Sequence, residues 1–238
     1  MCADSFLKSA EEIKLLVKSA EIANSCIRII EESLKEKIRE KELKRRVEKE
    51  IRRQNASPSF RTIVACGKRS AKIHPKPAAT NKIIRGLGYV DFGVCYRGYR
   101  TDVTVPFVKG KISKQERKIV KTALKAYKIA VSSIRVGVPC WKAFKKVDNF
   151  LRRNKFRMLH ALGHGIGLKV HDKPSISPRP DKKEKLKRWK EVRFQPGMVL
   201  AIEPAVYVKG VGGCRIENDI LLRKSGVKVL TNAKLLEV

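Results

Sequence analysis

Three of the four histidines in this chain fall within HALGHGIGLKVHDKP, residues 160–174. Histidine is the commonest metal ligand, and its charge changes most readily near neutral pH. Glycines at 163, 165 and 167 surround His164, which opposes a helix and favours extended backbone in close contact with its neighbours. His164 and His171 are seven apart, so a regular strand would send them to opposite faces. They share a site only if the glycines bend that strand. A single histidine would be read as structural. Three within twelve residues, the central one between glycines, call for partners.

Carboxylates supply them. Residues 88–106 read as a hairpin turning around Tyr96-Arg97-Gly98, and a turn centred between 96 and 97 sets Asp91 opposite Asp102. Residues 197–222 read as a second hairpin. Centred on Gly210, it sets Glu203 opposite Glu217. Like charges placed directly opposite destabilise a hairpin, and unpaired acids among apolar neighbours are costly; a bound cation reverses both effects. For any one acid, a salt bridge to one of the 55 Lys and Arg is the simpler account. For opposed pairs in two hairpins beside a histidine, metal binding is. Four carboxylates and an imidazole can hold two divalent cations, with shared carboxylates bridging them, and the set suits Mn, Fe, Co or Zn. Two such ions generate and orient a hydroxide near neutral pH and stabilise the oxyanion of a tetrahedral intermediate.

The elements that position these residues come in two matching rounds. Residues 9–34 form an amphipathic helix by the spacing of Ile13, Leu16, Val17, Ala20, Ala23, Ile27, Ile30 and Leu34, with Ser9 and Glu12 as a capping box. A second helix covers about 41–54, its stripe Leu43, Val47 and Ile51 and its arginines a solvated face. Residues 59–66 read as a strand, followed by a polar loop holding His74. Residues 113–134 and 139–153 are again a long and a shorter helix. RRVEKEIRRQN (45–55) and KKVDNFLRRN (145–154) fall at equivalent places. The expectation is an α+β domain made by internal duplication, with halves at about 9–110 and 113–238. Residues 173–195 read as a proline-bearing, lysine-rich surface loop, and 182–190 within it as a solvated insertion.

Taken together, these residues resemble a known family. Asp91-Phe-Gly with Asp102 eleven residues on, GHGIG with His164, IEP with Glu203 and RIEN with Glu217 resemble the metallopeptidases that include methionine aminopeptidase, Xaa-Pro aminopeptidase, prolidase and creatinase. The resemblance runs from about residue 9 to the C-terminus. It implies the pita-bread fold, two pseudo-symmetric halves each with two helices and antiparallel strands. It implies metal ligation by Asp91, Asp102, His164, Glu203 and Glu217, with Asp102 and Glu217 bridging and Glu203 also shuttling protons. His74 and His171 match the histidines that contact substrate and stabilise the tetrahedral intermediate, His160 a further histidine lining the pocket, and Arg215 a support for the carboxylates. SFRTIVACGKRSAKIH, VHDKPSISPR and EPAVYVKGVGGCRIENDILL resemble the Xaa-Pro branch, and Val170 stands where methionine aminopeptidases usually have Phe. The implied activity is hydrolysis of the N-terminal bond of peptides, preferably Xaa-Pro, by a dinuclear exopeptidase. Methionine removal is the alternative within the class. A non-catalytic protein binding RNA or ribosomes is the alternative outside it. Members of the Xaa-Pro branch normally carry a separate N-terminal domain; here residues 1–238 read as a single catalytic domain without one.

Composition bounds the rest. With 42% hydrophobic and 33% charged residues in 238, the chain reads as globular. Its net charge of +32 attracts polyanions such as RNA. The preferred reading is nevertheless a solvated lysine surface, since the basic residues are spread along helices and not gathered in one tract. Six scattered cysteines without a CxxC pair read as free thiols. Residues 1–10 lack the apolar core of a signal peptide, and no apolar run approaches the roughly 20 residues that span a bilayer. The expectation is a cytoplasmic protein acting on peptides, with a homodimer and weak RNA or ribosome association as its further partners and no membrane.

Overall fold

The computed structural model describes residues 6–238; Cys2, and half of the segment read as lacking a signal peptide, lie outside the described residues. Helices α1 (Ala10–Lys35) and α2 (Glu40–Arg53) come first. Strands β1 (Ser57–Pro58) and β2 (Ile63–Cys66), a 3₁₀ turn (Gly67–Ala71), and β3 (Gly86–Phe92), β4 (Val94–Tyr96), β5 (Tyr99–Arg100) and β6 (Val103–Lys109) follow. The second round has α3 (Lys114–Ser133), α4 (Cys140–Arg153), β7 (Gly163–Gly165), β8 (Asp172–Ile176) and α5 (Lys183–Glu191). It ends with β9 (Val199–Ile202), β10 (Ala205–Val208), β11 (Gly212–Arg215), β12 (Asn218–Arg223), β13 (Gly226–Val229) and β14 (Leu236–Glu237).

Both long helices start the same way. Ser9 caps α1 and Ser113 caps α3, each with a glutamate three residues on that returns a bond to the cap backbone. The apolar stripe of α1 is buried at Leu16, Ala20, Ala23, Ile27, Ile30 and Leu34, and that of α2 at Leu43, Val47 and Ile51. From Ala23 onward these faces pack on a four-stranded sheet in the order β14-β6-β3-β2, while Leu16 and Ala20 pack with Val199 and Leu221 of the second half. Helices α3 and α4 bury Ile119, Ala123, Val147 and Leu151 with residues of a five-stranded sheet, order β13-β12-β9-β7-β8. Each sheet continues into a smaller one, β1-β4-β5 in the first half and β10-β11 in the second.

Four expectations change. The first hairpin turns at Arg97-Gly98, both with positive φ (50° and 86°), a two-residue connection suited to strand twist. Asp91 therefore pairs with Thr104, and not with Asp102. Because side chains alternate, Asp102, two residues before Thr104, still falls on the face of Asp91. In the second hairpin Ala205 pairs with Arg215 and Ile202 with Asn218, so Glu203 and Glu217 do stand opposite. Second, of residues 59–66 only Ile63–Cys66 form strand; Ser57–Pro58 pair instead with β4, and 59–62 cross from one sheet to the other. Third, the expected loop at 173–195 contains β8 and the helix α5. That helix has no buried residue, so the sequence shows no apolar stripe, and Trp189 stacks on Trp141 of α4 at 5.4 Å. Fourth, β14 runs parallel to β6 in the first half's sheet, so the last residues belong structurally to the half that the duplication boundary excluded.

Candidate metal centre and active site

The two sheets meet through one backbone bridge, in which Glu217 donates its N–H to Thr104 O at 3.1 Å. Around this bridge the acids gather. Asp91 lies near the end of β3, Asp102 just before β6, Glu203 just after β9, and Glu217 just before β12. His164 comes from β7, whose register shifts after it. The chain then turns over residues 167–171 before β8. This reversal, and not a bend in one continuous strand, brings the rings of His164 and His171 to 4.4 Å between centroids. Gly165 is required here. A Cβ on it would sit 2.0 Å from Lys173 O.

Three overlapping sets of side chains have ligand atoms within 4.8 Å of one another: Asp91, Asp102 and Glu217; His164, Glu203 and Glu217; and Asp102, His164 and His171. The five residues expected as ligands are thus brought together. His171, expected as a substrate-contacting residue, is close enough to join one set. Imidazole Nε2 of His164 is 3.7 Å from Asp102 and 3.8 Å from Glu203. Its Nδ1–H donates to Gly165 O at 3.0 Å, which leaves Nε2 with a lone pair turned toward the acids. Burial pushes this histidine down to about 4, so the ring is neutral at pH 7 and suited to coordinate.

The chemistry of the cluster fits a divalent cation. Asp91 Oδ1 and His164 Nε2 are buried without a hydrogen-bond partner, an arrangement that costs free energy unless something positive sits among them. Burial, then Glu217 and the other acids, pushes Asp102 well above the usual carboxylate range. Burial and Glu217 do the same to Glu203. Burial and Asp91 raise Glu217 to about 7, and burial raises Asp91 against the opposing pull of Arg215. Without a cation, burial and mutual repulsion disfavour the ionised form of these acids. With one, they are free to ionise.

Arg215 locks the acids in place. Buried, it donates from Nε to Thr104 Oγ1 at 2.9 Å and from Nη1 to Tyr207 OH at 2.6 Å, and it pairs through Nη2 with Asp91. Thr104 Oγ1 in turn donates to Glu217 at 2.6 Å. One guanidinium therefore positions an acid from each half. Its face lies 4.7 Å above the ring of Tyr89. His160 donates from Nδ1 to Ala161 O, lies 3.6 Å from Glu203, and its Nε2 faces Tyr207 OH at 3.4 Å. It stands behind Glu203 and is not among the residues lining the cavity.

That cavity is about 400 Å³. Asp91, Asp102, Glu203, Glu217 and Arg215 form part of its wall, and His74, His171, Val170, Phe60, Arg61 and Ile63 form the rest. His74 and His171 are exposed and bring imidazoles to the acids from opposite halves. Several of these residues escape a reading of the sequence. Thr104 is hidden by the misplaced turn. Asp219, buried with Oδ1 unpartnered, accepts the backbone N–H of Asp102 at 3.2 Å. Its signal is present, because residues 217 and 219 alternate onto one face. Phe60 and Arg61 fall within the SFRTIVACGKRSAKIH stretch that resembles the Xaa-Pro branch, but their place in the cavity wall is seen only in the fold.

The whole arrangement has close counterparts. Residues 14–224 match the family model "Metallopeptidase family M24". An Xaa-Pro dipeptidase of Pyrococcus horikoshii is 34% identical over 232 residues, 96% of this chain and 63% of that protein. A prolidase from Pyrococcus furiosus superposes with a TM-score of 0.86 at 33% identity, over 96% of this chain and 66% of that one. An X-Pro aminopeptidase from Thermotoga maritima gives 0.85 at 30%, over 98% and 65%. The chain thus spans a little under two thirds of the length of these relatives. The fold is the α+β pita-bread arrangement of two pseudo-symmetric halves. From the family match and from relatives of this identity, the chain is a member of metallopeptidase family M24.

Proposed function

We propose that this chain is a metal-dependent exopeptidase that hydrolyses the N-terminal bond of short peptides, preferably before proline. The observation that carries it is the convergence of Asp91, Asp102, Glu203 and Glu217 on the wall of one open cavity, with His164 at ligand distance from Asp102, Glu203 and Glu217 and with buried atoms of Asp91 and His164 unpartnered. The Xaa-Pro names of the dipeptidase and aminopeptidase relatives support the substrate preference.

Asp91, Asp102, His164, Glu203 and Glu217 would hold two divalent ions, of which Mn, Co, Fe and Zn all suit the donors. When bound, such a pair supplies a nucleophilic hydroxyl near neutral pH and positive charge for the developing oxyanion. Glu203 accepts the proton released from the attacking water and returns it to the departing amine nitrogen. The C–N bond breaks, the acyl carbon gains the hydroxyl, and the nitrogen gains the hydrogen. His171 and His74 donate hydrogen bonds to the substrate carbonyl. Arg215 and Thr104 keep the acids of the two halves from moving apart, and His160 orients Glu203. Phe60, Ile63 and Val170 exclude water around the bond. Among the described residues no helix is long and apolar enough to cross a membrane, and a cytoplasmic setting with peptides as substrates agrees with the free thiols.

The test is hydrolysis by metal-stripped protein with Mn or Co restored, comparing Ala-Pro-Ala with Met-Ala-Ser and using Glu203→Gln as control. Metal-dependent cleavage of the proline peptide, lost in the variant, is the expected result. Cleavage of the methionine peptide alone keeps the chemistry and overturns the preference. No cleavage of either by metal-loaded protein overturns the peptidase reading.

A further inference from the structure

The outer faces of the two helix pairs differ in a way that the shared inner site does not require. Helices α1 and α2 carry eleven Lys and Arg against nine Asp and Glu; α3 and α4 also carry eleven, against two, Glu116 and Asp148. In the first pair Lys18, Lys35, Lys44, Arg46, Arg52 and Arg53 all reach a carboxylate within 4.0 Å. In the second, among the described residues, only Arg117 and Arg152 do. Basic residues that are dispersed along the sequence become a single field once α3 and α4 pack side by side.

Their placement is ordered. Lys114, Lys118, Lys121 and Lys125 follow steps of four, three and four, which puts them on one face of α3, and all four are exposed. They border an open groove of about 470 Å³ that has Phe150 of α4 in its wall. On the other side of α4 a groove of about 740 Å³ combines Trp141 and Trp189 with Lys145, Lys190 and Arg193. Ammonium groups already lie over these rings: Lys125 is 5.7 Å from the Phe150 centroid, Lys118 is 5.6 Å from Phe156, and Lys145 is 5.9 Å from Trp141.

We propose that the α3/α4 face binds single-stranded nucleic acid without sequence preference. Such binding combines a basic track for phosphates with aromatic rings on which bases stack, and both are present in alternation here. A base can take the place of the ammonium over a ring while the displaced lysine moves to a phosphate. An anionic membrane is the poorer partner. Insertion needs protruding apolar side chains, and the rings here are partly buried with cations above them; the exposed large hydrophobics near the face are Val136, in the connection between α3 and α4, and Leu159, after α4. None of the α3 and α4 residues lines the peptidase cavity, so the inference does not depend on the proposed activity.

The experiment compares two variants of identical net charge in the full chain. Lys118→Glu, Lys121→Glu and Lys125→Glu are combined on α3. Lys14→Glu, Lys41→Glu and Lys49→Glu are combined on α1 and α2, where none of the three has an acidic partner among the described residues. The probe is a labelled oligouridylate of about 20 nucleotides, read by anisotropy from roughly 50 to 200 mM salt. The unaltered protein is expected to bind with a dissociation constant of about 1–100 µM and a steep salt slope. The α3 variant should lose about tenfold or more and show a shallower slope, while the α1/α2 variant changes by less than about threefold. The neutral set Lys118→Gln, Lys121→Gln and Lys125→Gln should fall between, with unchanged thermal stability. Equal losses in both charge-reversal variants would reduce the effect to net charge and overturn the site. So would a flat salt response, or binding to phosphatidylserine vesicles that the oligouridylate does not displace.

Discussion

The two halves of this molecule are alike where they face each other and unlike where they face solvent. Each turns a pair of acids inward from strands at a sheet hairpin, Asp91 and Asp102 from one, Glu203 and Glu217 from the other, and each adds an imidazole to the cavity wall, His74 and His171. Outside, α1 and α2 pair six of their eleven cations with acids of the same helices, whereas among the described residues only Arg117 and Arg152 of α3 and α4 reach one. The difference shows which part of a duplicated fold is constrained. Inner residues must meet at ligand distance across a common bridge, so a change in one half is felt in the other. Outer residues answer only to local helix packing and to whatever the surface meets.

If the inner faces form one unit, removing an acid from either half should be equally damaging. Asp102→Asn in the first half and Glu217→Gln in the second are each expected to cut metal-supported hydrolysis by at least about 10²-fold, with metal content falling in parallel. A large loss in only one would show that a single half holds the metal. Next in size is the residue that joins the halves. Arg215→Met leaves Asp91 without its partner and breaks the link through Thr104 to Glu217. Deleting one member of a buried ion pair costs about 3–5 kcal/mol, so a drop of that size in unfolding free energy is expected. If the acids stay protonated in metal-free protein the loss will be at the low end, and it should be larger in metal-loaded protein.

The pH dependence of metal stabilisation follows from the raised acids. A carboxyl whose folded pKa lies above its unfolded value binds more protons in the native state than in the unfolded one. Metal-free protein therefore loses stability as pH rises through that window. With Glu217 at about 7 and Asp102 and Glu203 well above their usual range, the window extends from about 4.3 to neutrality. A cation replaces the protons, so the Tm gained on adding Mn should grow as pH is raised from 5 to 7.5. Calorimetry in buffers of different ionisation enthalpy should show proton release on binding. A gain in Tm that is constant across this range would mean the acids are already ionised without metal.

The inner unit could be read from the sequence further than the outer faces could. The second hairpin's register followed from Gly210 alone, because a glycine with positive φ marks that turn and a constant register carries from it to Glu203 and Glu217. The first was misplaced because Arg97, a residue that rarely takes positive φ, occupies half of a two-residue turn. The error hid Thr104, and with it the link from Arg215 to Glu217. Helix α5 lacked an apolar stripe to announce it, since it is held by Trp189 stacking and by its indole N–H on Ser177 O at 3.0 Å. The basic face could not be seen at all, because lysines four and three apart on one helix become neighbours of those on another only after packing.

The smallest expected effect tests an acid at the junction of α1 and α2 in the first half. Glu50 of α2 accepts from Arg53 Nε at 2.8 Å, from Gln54 at 2.8 Å and from Ser25 Oγ at 3.2 Å. Its hydrogen bond with Arg53 is the main reason that it is held down to about 2. A depressed acid stabilises the fold above its unfolded pKa, near 4.3, and that contribution is lost as pH falls toward 2. Arg53 is 68% exposed, so solvent screens the pair and the contribution is modest. Glu50→Gln should therefore lower Tm by no more than a few degrees at pH 7, and the difference from the unaltered protein should shrink as pH drops from 4.5 to 2.5. If the difference stays constant, the hydrogen bonds of the side chain matter and its charge does not. In that case the acids of α1 and α2 would stabilise the first half as ordinary polar caps, and the contrast with α3 and α4 would be one of surface charge alone.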